Sequence, residues 1–481
     1  MLLREIPCSR VCGMRGRRCA VSRKRSFGVG VALLSLVNIL LRMVGVSFQA
    51  YISRKIGAEA MGLMTLVMSV YGFAVTVALS GLPFATVRLT ADRCARIAGS
   101  SRAIYRKTVG GVVRTVIRYG LLFGVTSGVG LFALSEPIAR FLLHEPRTIS
   151  CLRLLACTLP AIALSAALSG VFTGLRKNGK NAAIAILEQG MKIAVTVTAL
   201  GLICRNLSPE DPRLLERLCL AVIGGSAIAE GGAFLVALFL YCIDSRIPHG
   251  DTPQSRPEQL PYPTAFRDAT SIALPTAVGA YCRQGLTTAE HLAIPRGLKK
   301  SGLSGTGALA AYGILQGMAL PVILFPYAVI GAFTGMLVPE ITALDTTAQV
   351  DPAAKRRLCG IVRRILLVAA AFSVTSFAVF FLFADPLGRG IYHSTEAARY
   401  IRLLSPLTVF MYMDTVIDAM LKGMGEQVYC MKVNILDAGI SLVLVTLLTP
   451  VLGTGGYVLS LYVCEILNLA CSAWKLWART G

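Results

Sequence analysis

The apolar segment Phe27–Tyr51 constrains the fold of this chain more than any other part of its sequence. It runs for about 25 residues with a single charge, that of Arg42, and a helix needs roughly 20 apolar residues to cross the hydrocarbon core of a bilayer. The segment therefore predicts a membrane-spanning helix near the start of the chain.

One face of this predicted helix is polar. Asn38, Arg42, Gly45 and Gln49 follow one another at steps of four, three and four residues, which places them along one side of an α-helix. An arginine at the centre of a membrane-spanning helix costs roughly 2.5 to 3.5 kcal/mol when it faces lipid. We therefore expect Arg42 to face protein or a water-filled cavity, as in a helix that lines a cleft inside a membrane bundle.

The composition of the whole chain supports the same class of protein. Of 481 residues, 55% are hydrophobic and 15% are charged, whereas a soluble protein carries about 25% charged residues. This composition predicts an all-α polytopic membrane protein. The formal charge of +23 is typical of basic cytoplasmic loops beside anionic lipid headgroups. Because no segment resembles a module that reads nucleic acid, we expect no nucleic acid partner.

The hydropathy pattern predicts about twelve membrane-spanning helices in two lobes of six. Asp244–Arg267, between the sixth and the seventh, contains five prolines and many polar residues, which is typical of a linker. The chain then divides into a basic cytoplasmic N-terminal tail at 1–26, an N-lobe at 27–243, a cytoplasmic linker at 244–267 and a C-lobe at 268–481. The predicted spans lie near 27–51, 62–87, 108–134, 150–174, 181–204, 218–243, 268–293, 308–336, 360–384, 400–421, 428–450 and 455–477.

The distribution of basic residues predicts the orientation in the membrane. Lysine and arginine concentrate in the segments 1–26, 88–107, 175–180 and 339–359, and they are sparser in the alternate loops. The positive-inside rule then predicts a multi-pass protein of the plasma membrane with both termini in the cytoplasm. The loop 294–307, with three basic residues, runs against this trend. The basic tail resembles the start of a signal peptide, but the apolar run behind it is too long, so we expect it to remain as an anchor.

The sequence contains no signature of catalysis or of nucleotide-driven transport. The turn Gly174–Lys180 lacks the spacing of a phosphate-binding loop, and the four histidines have no metal-ligand spacing. Most of the fourteen cysteines lie in apolar spans, where a free cysteine acts as a small hydrophobic residue. We therefore expect a transport protein and not an enzyme, with no cofactor and no metal. Its energy would come from an ion gradient, the membrane potential or the supply of substrate.

The two predicted lobes share a sequence register, which indicates an internal repeat. The repeat has a constant offset of 249 positions over more than 50 residues. With six spans in each lobe, the two copies point the same way through the membrane, related by an axis along its normal. The matched pairs are Glu136 and Asp385, Pro137 and Pro386, Arg153 and Arg402, Gly174 and Gly423, Glu188 and Asp437, and Gly190 and Gly439.

At the start of each lobe the offset is 241 positions, and it matches the two first helices. Arg42 then falls on Arg283, and Gln49 falls on Glu290. Each lobe is thus predicted to place one arginine on its first helix. We expect the two guanidinium groups to face each other across a central cleft.

Four short segments resemble motifs of the multidrug/oligosaccharidyl-lipid/polysaccharide exporter superfamily. Ile56–Leu63 is similar to its segment after the first span, and Ser80–Pro83 with the later Arg88 is similar to the end of its second helix. Ala311–Pro321 resembles its AYGILNGMALP segment, and Ile186–Gln189 with Lys192 resembles part of its fifth helix. The order of the motifs is similar to the branch that contains stage V sporulation protein B and polysaccharide biosynthesis proteins, which is related to the lipid II flippases.

This resemblance implies a function in envelope or spore assembly. It implies a flippase that moves a lipid-linked oligosaccharide or peptidoglycan precursor, carried on undecaprenyl pyrophosphate, across the cytoplasmic membrane by alternating access. The partners would be the lipid-linked sugar and the membrane lipids. A guanidinium offers a forked, permanently charged donor suited to phosphate oxygens. We therefore predict a substrate-binding site made of Arg42, Arg283, Asn38, Gln49 and Glu290.

Carboxylates inside the predicted spans are candidates for coupling transport to H⁺ or Na⁺. A charge within the membrane is costly and is usually retained for function. Glu188 and Lys192 share a helical face at a spacing of four residues, and so do Asp414 and Asp418. We predict ion coupling by Glu188, Lys192, Glu230, Asp414 and Asp418.

Two rival functions stay open at the level of sequence. A multidrug and toxin extruder of the same fold would exchange an ion for a cationic drug, and it would favour an acidic and aromatic cavity over one with arginines. A non-transporting scaffold for envelope or spore assembly would tolerate the loss of every charge within the membrane.

Overall fold

The computed structural model describes residues 15–96, 102–206, 214–246, 264–348 and 351–480. Secondary structure in these ranges is helical throughout, as expected where lipid forces each backbone group to find its partner within its own segment. The helices are α1 (Arg15–Leu79), α2 (Leu82–Arg96), α3 (Arg102–Pro137), α4 (Ile149–Gly174), α5 (Asn178–Asn206), α6 (Leu214–Arg246), α7 (Thr264–Lys300), α8 (Gly305–Tyr312), α9 (Leu320–Ile323), α10 (Tyr327–Ala348), α11 (Pro352–Leu382), α12 (Thr395–Leu404), α13 (Leu407–Gly423), α14 (Gln427–Leu452) and α15 (Thr454–Thr480).

The predicted class, an all-α polytopic membrane protein, is confirmed. Among the described residues, ten helices are long and apolar enough to span a membrane, and eleven if α12 and α13, bent by 50°, form one span. The sequence predicted about twelve. The count falls because the first two predicted spans form one run of 56 residues, Ile39–Cys94, because α7 is not counted, and because the predicted span 400–421 passes only as the bent pair α12 and α13. It rises by one because the predicted span 308–336 is divided into two, Gly305–Ile323 and Val329–Thr347.

The run Ile39–Cys94 cannot cross a membrane as one straight helix. At ~1.5 Å per residue it would be about 80 Å long, against about 30 Å of hydrocarbon. Gly57 divides it, since its dihedral angles of φ 79° and ψ 175° are not helical. A positive φ of this size is accessible to glycine at little cost, so the helical segments 15–56 and 58–79 meet at this residue.

The second helix of each lobe is broken near its middle. In the N-lobe the break falls at Ser80 and Gly81, whose φ angles are 43° and 71°. In the C-lobe a π-helical turn, Gly313–Ala319, precedes α9, and the residues 324–326 separate α9 from α10. Both breaks lie inside predicted spans, 62–87 and 308–336, and both expose backbone groups that neighbouring helices must satisfy.

Each lobe packs around its own central helices, and α7 joins the two. In the N-lobe α4 packs against α2, α3 and α6, while α5 packs against α6. In the C-lobe α13 packs against α10, α11 and α15, while α14 packs against α15. The polar helix α7 lies along α14 of its own lobe and also along α1 and α2 of the other, while other side chains on it, such as Leu274 and Val278, are exposed.

Candidate functional site: the inter-lobe cleft and the buried carboxylates

A continuous seam joins the lobes along α7. The side chains and carbonyl groups of α1 and α2 meet those of α7 from the middle of the membrane to the end of α2 that carries Arg93, here called the Arg93 end. The contacts are Thr288 Oγ1 donating to the Ser69 carbonyl oxygen at 3.0 Å, the hydroxyls of Ser80 and Tyr281 at 2.5 Å, and the ion pair of Arg93 with Asp268 at 3.0 Å.

At the opposite end, the Gly57 end, two glycines allow the lobes to touch through their backbones. A β-carbon at Gly62 would overlap the carbonyl oxygen of Leu309, and one at Gly313 would overlap that of Ala58. The two contacts are equivalent, since Gly62 and Gly313 stand 251 positions apart, and so do the acceptors Ala58 and Leu309. The pseudo-twofold axis between the lobes therefore passes beside this crossing, and the Gly57 end of the cleft is closed here.

Two arginines reinforce this closure, one from each lobe. Each stands at the end of a first helix and donates to the last carbonyl groups of a π-helical turn in the opposite lobe. The acceptor pairs are themselves equivalent, at the offset of 249 positions. Arg54 donates to the carbonyl oxygens of Gly390 and Ile391. Arg296 donates to the carbonyl oxygens of Phe141 at 3.3 Å and Leu142 at 2.5 Å. We call these two contacts the arginine latches.

Arg42 lies on α1 with an exposed side chain. Gly45, one turn further on the same face, lies against the Gln189 amide of α5, at 3.9 Å from the position of a β-carbon. At Gly45 the polar face predicted for this helix therefore adjoins the fifth helix of its own lobe. The side chain of Asn38 lies outside the described residues.

Gln49 makes a contact between the lobes. Its Nε2 donates to the carbonyl oxygen of Gly317 at 3.1 Å. That carbonyl belongs to the π-helical turn Gly313–Ala319, where backbone groups lose their regular helical partners. The predicted role of Gln49 in substrate binding stays a prediction, and its observed contact ties α1 to the second helix of the C-lobe.

Arg283 also lies with an exposed side chain on the first helix of its lobe, and it interacts electrostatically with Asp437 of α14. Arg283 is thus directed to the fifth helix of its own lobe. Glu290, two turns further along α7, interacts with the side chain of Ser441 and is repelled by the carboxylate of Asp437. It therefore belongs to a group of acidic residues in the C-lobe.

The N-lobe contains a network of polar residues from four helices. The Tyr71 hydroxyl donates to Glu230 Oε2 at 2.8 Å and lies 2.6 Å from the Thr158 hydroxyl oxygen. Glu188 of α5 interacts electrostatically with Glu230 and with Lys192. The structure therefore brings together the three predicted coupling residues of this lobe. Tyr71 and Thr158, which hold Glu230, were missed by the sequence interpretation.

We expect Tyr71→Phe to lower stability, because it removes a donor from the Glu230 carboxylate. Leaving a buried acceptor without its partner costs about 1–3 kcal/mol. Thermal unfolding of the purified protein in detergent measures the loss. Tyr462→Phe is the matched control, since its hydroxyl donates to the Leu403 carbonyl oxygen at a more exposed position. Equal melting temperatures for the two variants would contradict the role of Tyr71.

The C-lobe holds the larger group of acidic residues. Asp414 accepts from Asn468 Nδ2 at 3.1 Å, and Glu465 of α15 interacts electrostatically with both Asp414 and Asp437. Asp418 differs from these, because it forms an ion pair with Lys422 at 2.5 Å, one turn further along α13. This pairing makes Asp418 the least available of the predicted coupling residues.

Two of the residues missed by the sequence interpretation had a signal in the repeat. Arg54 and Arg296 stand at nearly the same offset as Arg42 and Arg283, and the turns that accept their hydrogen bonds follow Pro137 and Pro386. Tyr71 had no such signal, because its helical segment follows the offset of 251 that relates Gly62 to Gly313, and this offset pairs it with Val322.

Two helical lobes, joined at a cleft that is closed at one end and lined by intramembrane charges, define a transporter fold. Comparison with known proteins agrees. Residues 27–245 match the model of the family described as polysaccharide biosynthesis protein, which confirms the resemblance predicted from the motifs. The chain is 24% identical over 450 residues to stage V sporulation protein B of Bacillus subtilis strain 168, covering 92% of this chain and 82% of that protein.

Solved structures show the same fold at low sequence identity. The lipid II flippase MurJ in an inward closed conformation aligns with a TM-score of 0.64 and 13% identity, covering 92% of this chain and 87% of that one. An inward-facing multidrug resistance transporter of the MATE family in the MOP superfamily aligns with a TM-score of 0.63 and 14% identity, covering 92% and 98%. The chain therefore shares its fold with these two transporters.

Proposed function

We propose that this protein is a flippase for a lipid-linked sugar. It would move an undecaprenyl-pyrophosphate-linked oligosaccharide or peptidoglycan precursor from the inner to the outer leaflet of the cytoplasmic membrane. It would catalyse no covalent chemistry. The match to the polysaccharide biosynthesis family and the fold shared with a lipid II flippase support this proposal.

The equivalent placement of Arg42 and Arg283 carries the proposal. Each is exposed on the first helix of its lobe, at the point where membrane-spanning helices normally exclude charge. Two guanidinium groups provide forked donors for a diphosphate while the lipid tail stays in the bilayer. Asp437 beside Arg283 offsets its charge when the substrate is absent, so the arginine avoids an uncompensated charge in the cleft.

Transport would proceed by alternating access of the two lobes. In the conformation described here the Gly57 end is closed by the glycine crossing and the arginine latches. Under the predicted orientation, with both termini in the cytoplasm, this is the outer end. Release of the headgroup to the outer leaflet then requires the crossing to separate and both latches to break, while 27–243 and 268–481 move as the two lobes.

The half-buried carboxylates would couple this motion to a proton gradient. Glu230 in the N-lobe and Asp414 in the C-lobe are each held by hydroxyl or amide donors from neighbouring helices. Among the described residues, no three side chains of histidine, cysteine, aspartate or glutamate come together as a metal site. A single carboxylate can take up a proton without further ligands, so H⁺ is the simplest coupling ion for these groups.

The same acidic groups favour a second candidate function, the export of cationic drugs. Glu290, Asp414, Asp437 and Glu465 give the C-lobe an acidic interior, and the MATE transporter shares the fold. The two candidates differ in the charge that the cleft must accept. A diphosphate requires the arginines, whereas an organic cation requires the carboxylates and is repelled by the arginines.

Translocation in reconstituted vesicles separates the two functions. We expect the purified protein to carry a fluorescent undecaprenyl-pyrophosphate sugar between leaflets, measured by its accessibility to an external quencher. Protein-free vesicles and vesicles with an organic cation as substrate are the controls. Drug uptake without translocation of the lipid-linked sugar would reject the flippase in favour of the exporter.

A further inference from the structure

Three basic residues cluster where α7 ends, at the Gly57 end of the protein. Arg296, Lys299 and Lys300 are all exposed and lie within the last turns of the helix. Under the predicted orientation this is the outer side, where the positive-inside rule disfavours such a cluster. The substrate site proposed above does not use these residues.

Two cavities flank this cluster, and their walls are mostly apolar. One, of about 330 Å³, lies between the lobes and includes Leu66, Leu142 and Leu309. The other, of about 340 Å³, lies between α7 and α14 and includes Leu442 and Pro450. Arg296 and Lys300 line both cavities, and Lys299 lines the first. The cluster therefore forms a cationic strip between two apolar grooves.

Nearby groups also favour an anion. The amine of Lys299 lies 3.6 Å from the position of a β-carbon at Gly305, where α8 begins, so the positive end of that helix adjoins the strip. The nearest carboxylate in the first cavity, Glu145, already forms an ion pair with Arg147 at 3.1 Å. The local balance of charge therefore stays positive.

The repeat shows that closure of the cleft does not require the two lysines. Arg54 forms the equivalent latch in the N-lobe, where a single lysine, Lys55, follows it and the first helix ends at Gly57. The helix α7 instead continues past Arg296 and adds two exposed lysines, Lys299 and Lys300. The N-lobe latch forms without this pair, so the pair is free to serve a ligand.

We propose that this strip binds the headgroup phosphate of an anionic phospholipid, with the acyl chains in the two flanking grooves. The ligand belongs to the leaflet at the Gly57 end. Charge complementarity, apolar walls and a position at the end of a membrane-spanning helix, where headgroups lie, all fit a lipid and do not fit a soluble anion. The site is separate from the arginines of the cleft, so the proposal does not depend on the proposed function.

The test is lipid binding to the purified full chain in detergent. Native mass spectrometry compares phosphatidylglycerol with phosphatidylcholine, which carries phosphate without net charge. Each basic side chain near an anionic lipid contributes about 1 kcal/mol, so Lys299→Gln with Lys300→Gln is expected to weaken phosphatidylglycerol binding about thirty-fold. Arg356→Gln with Arg357→Gln, an exposed pair at the start of α11, is the matched control and is expected to bind as the wild type does.

Three results would overturn the proposal. They are equal binding of the two lipids by the wild type, unchanged phosphatidylglycerol binding by the lysine variant, and an equal loss in the control variant. A competition experiment with soluble glycerol phosphate completes the test. If it displaces phosphatidylglycerol at an equal concentration, the strip binds a free anion and the assignment to a lipid fails. Replacement of both lysines by arginine is expected to retain binding.

Discussion

Gly313→Val is expected to prevent closure of the Gly57 end and to abolish transport. A β-carbon there overlaps the Ala58 carbonyl oxygen and lies within 2.6 Å of the Gly62 backbone nitrogen. Both partners are backbone atoms, so no side-chain rotation relieves the overlap. Overpacking of this kind costs about 1–3 kcal/mol and sometimes more. Since each 1.4 kcal/mol is a factor of ten, we expect the closed population to fall about five-fold or more.

The separation of two spin labels at Leu134 and Phe383 measures this closure. The two positions are equivalent in the repeat, and both are exposed near the Gly57 end. Labels attached through unnatural amino acids avoid the fourteen native cysteines. Gly313→Val should lengthen the distance between the labels, whereas Gly130→Val, with nothing within 4 Å of its β-carbon, should not. An unchanged distance together with normal transport would show that the crossing does not govern access.

The sequence predicted the class of fold because lipid imposes a simple rule. Backbone groups in hydrocarbon must be bonded within their own helix, so long apolar runs predict spans directly. The repeat was also visible, since Glu188 and Asp437 keep a constant register. The helix α7 was predicted as a span from the hydropathy pattern, although its described residues are not apolar enough to be counted as one. Part of its polar surface lies against the other lobe, as in the contact of Thr288 with the Ser69 carbonyl oxygen.

Contacts between the lobes were beyond prediction, for a physical reason. The partners of Arg54 and Arg296 are backbone carbonyls in turns more than 150 residues away, and a carbonyl has no sequence signal. The break at Gly81 was marked by its glycine and the nearby proline. The close approach of Gly62 to Leu309, in contrast, depends on how two helices cross. Such crossings follow from side-chain packing over the whole lobe.

The loss of either cleft arginine is expected to stop translocation of the lipid-linked sugar. Removing one member of a desolvated charge pair costs about 2–5 kcal/mol, which weakens binding of a diphosphate on the order of 30-fold or more. Arg42→Ala and Arg283→Ala should therefore be inactive in vesicles, while lysine at either position keeps the charge and retains part of the activity. Arg399→Ala, an exposed arginine on α12, is the control and should transport normally.

The interaction of Arg283 with Asp437 provides a test that separates substrate binding from internal charge balance. Suppose that Arg283 serves only to offset the charge of the Asp437 carboxylate. Arg283→Ala then leaves this carboxylate uncompensated, and the second substitution Asp437→Asn removes the charge and restores transport. If the guanidinium binds the substrate, the double variant stays inactive although its stability returns. We expect the second outcome. A double variant that translocates lipid-linked sugar at the wild-type rate would remove Arg283 from the substrate site and leave Arg42 without its partner in the cleft.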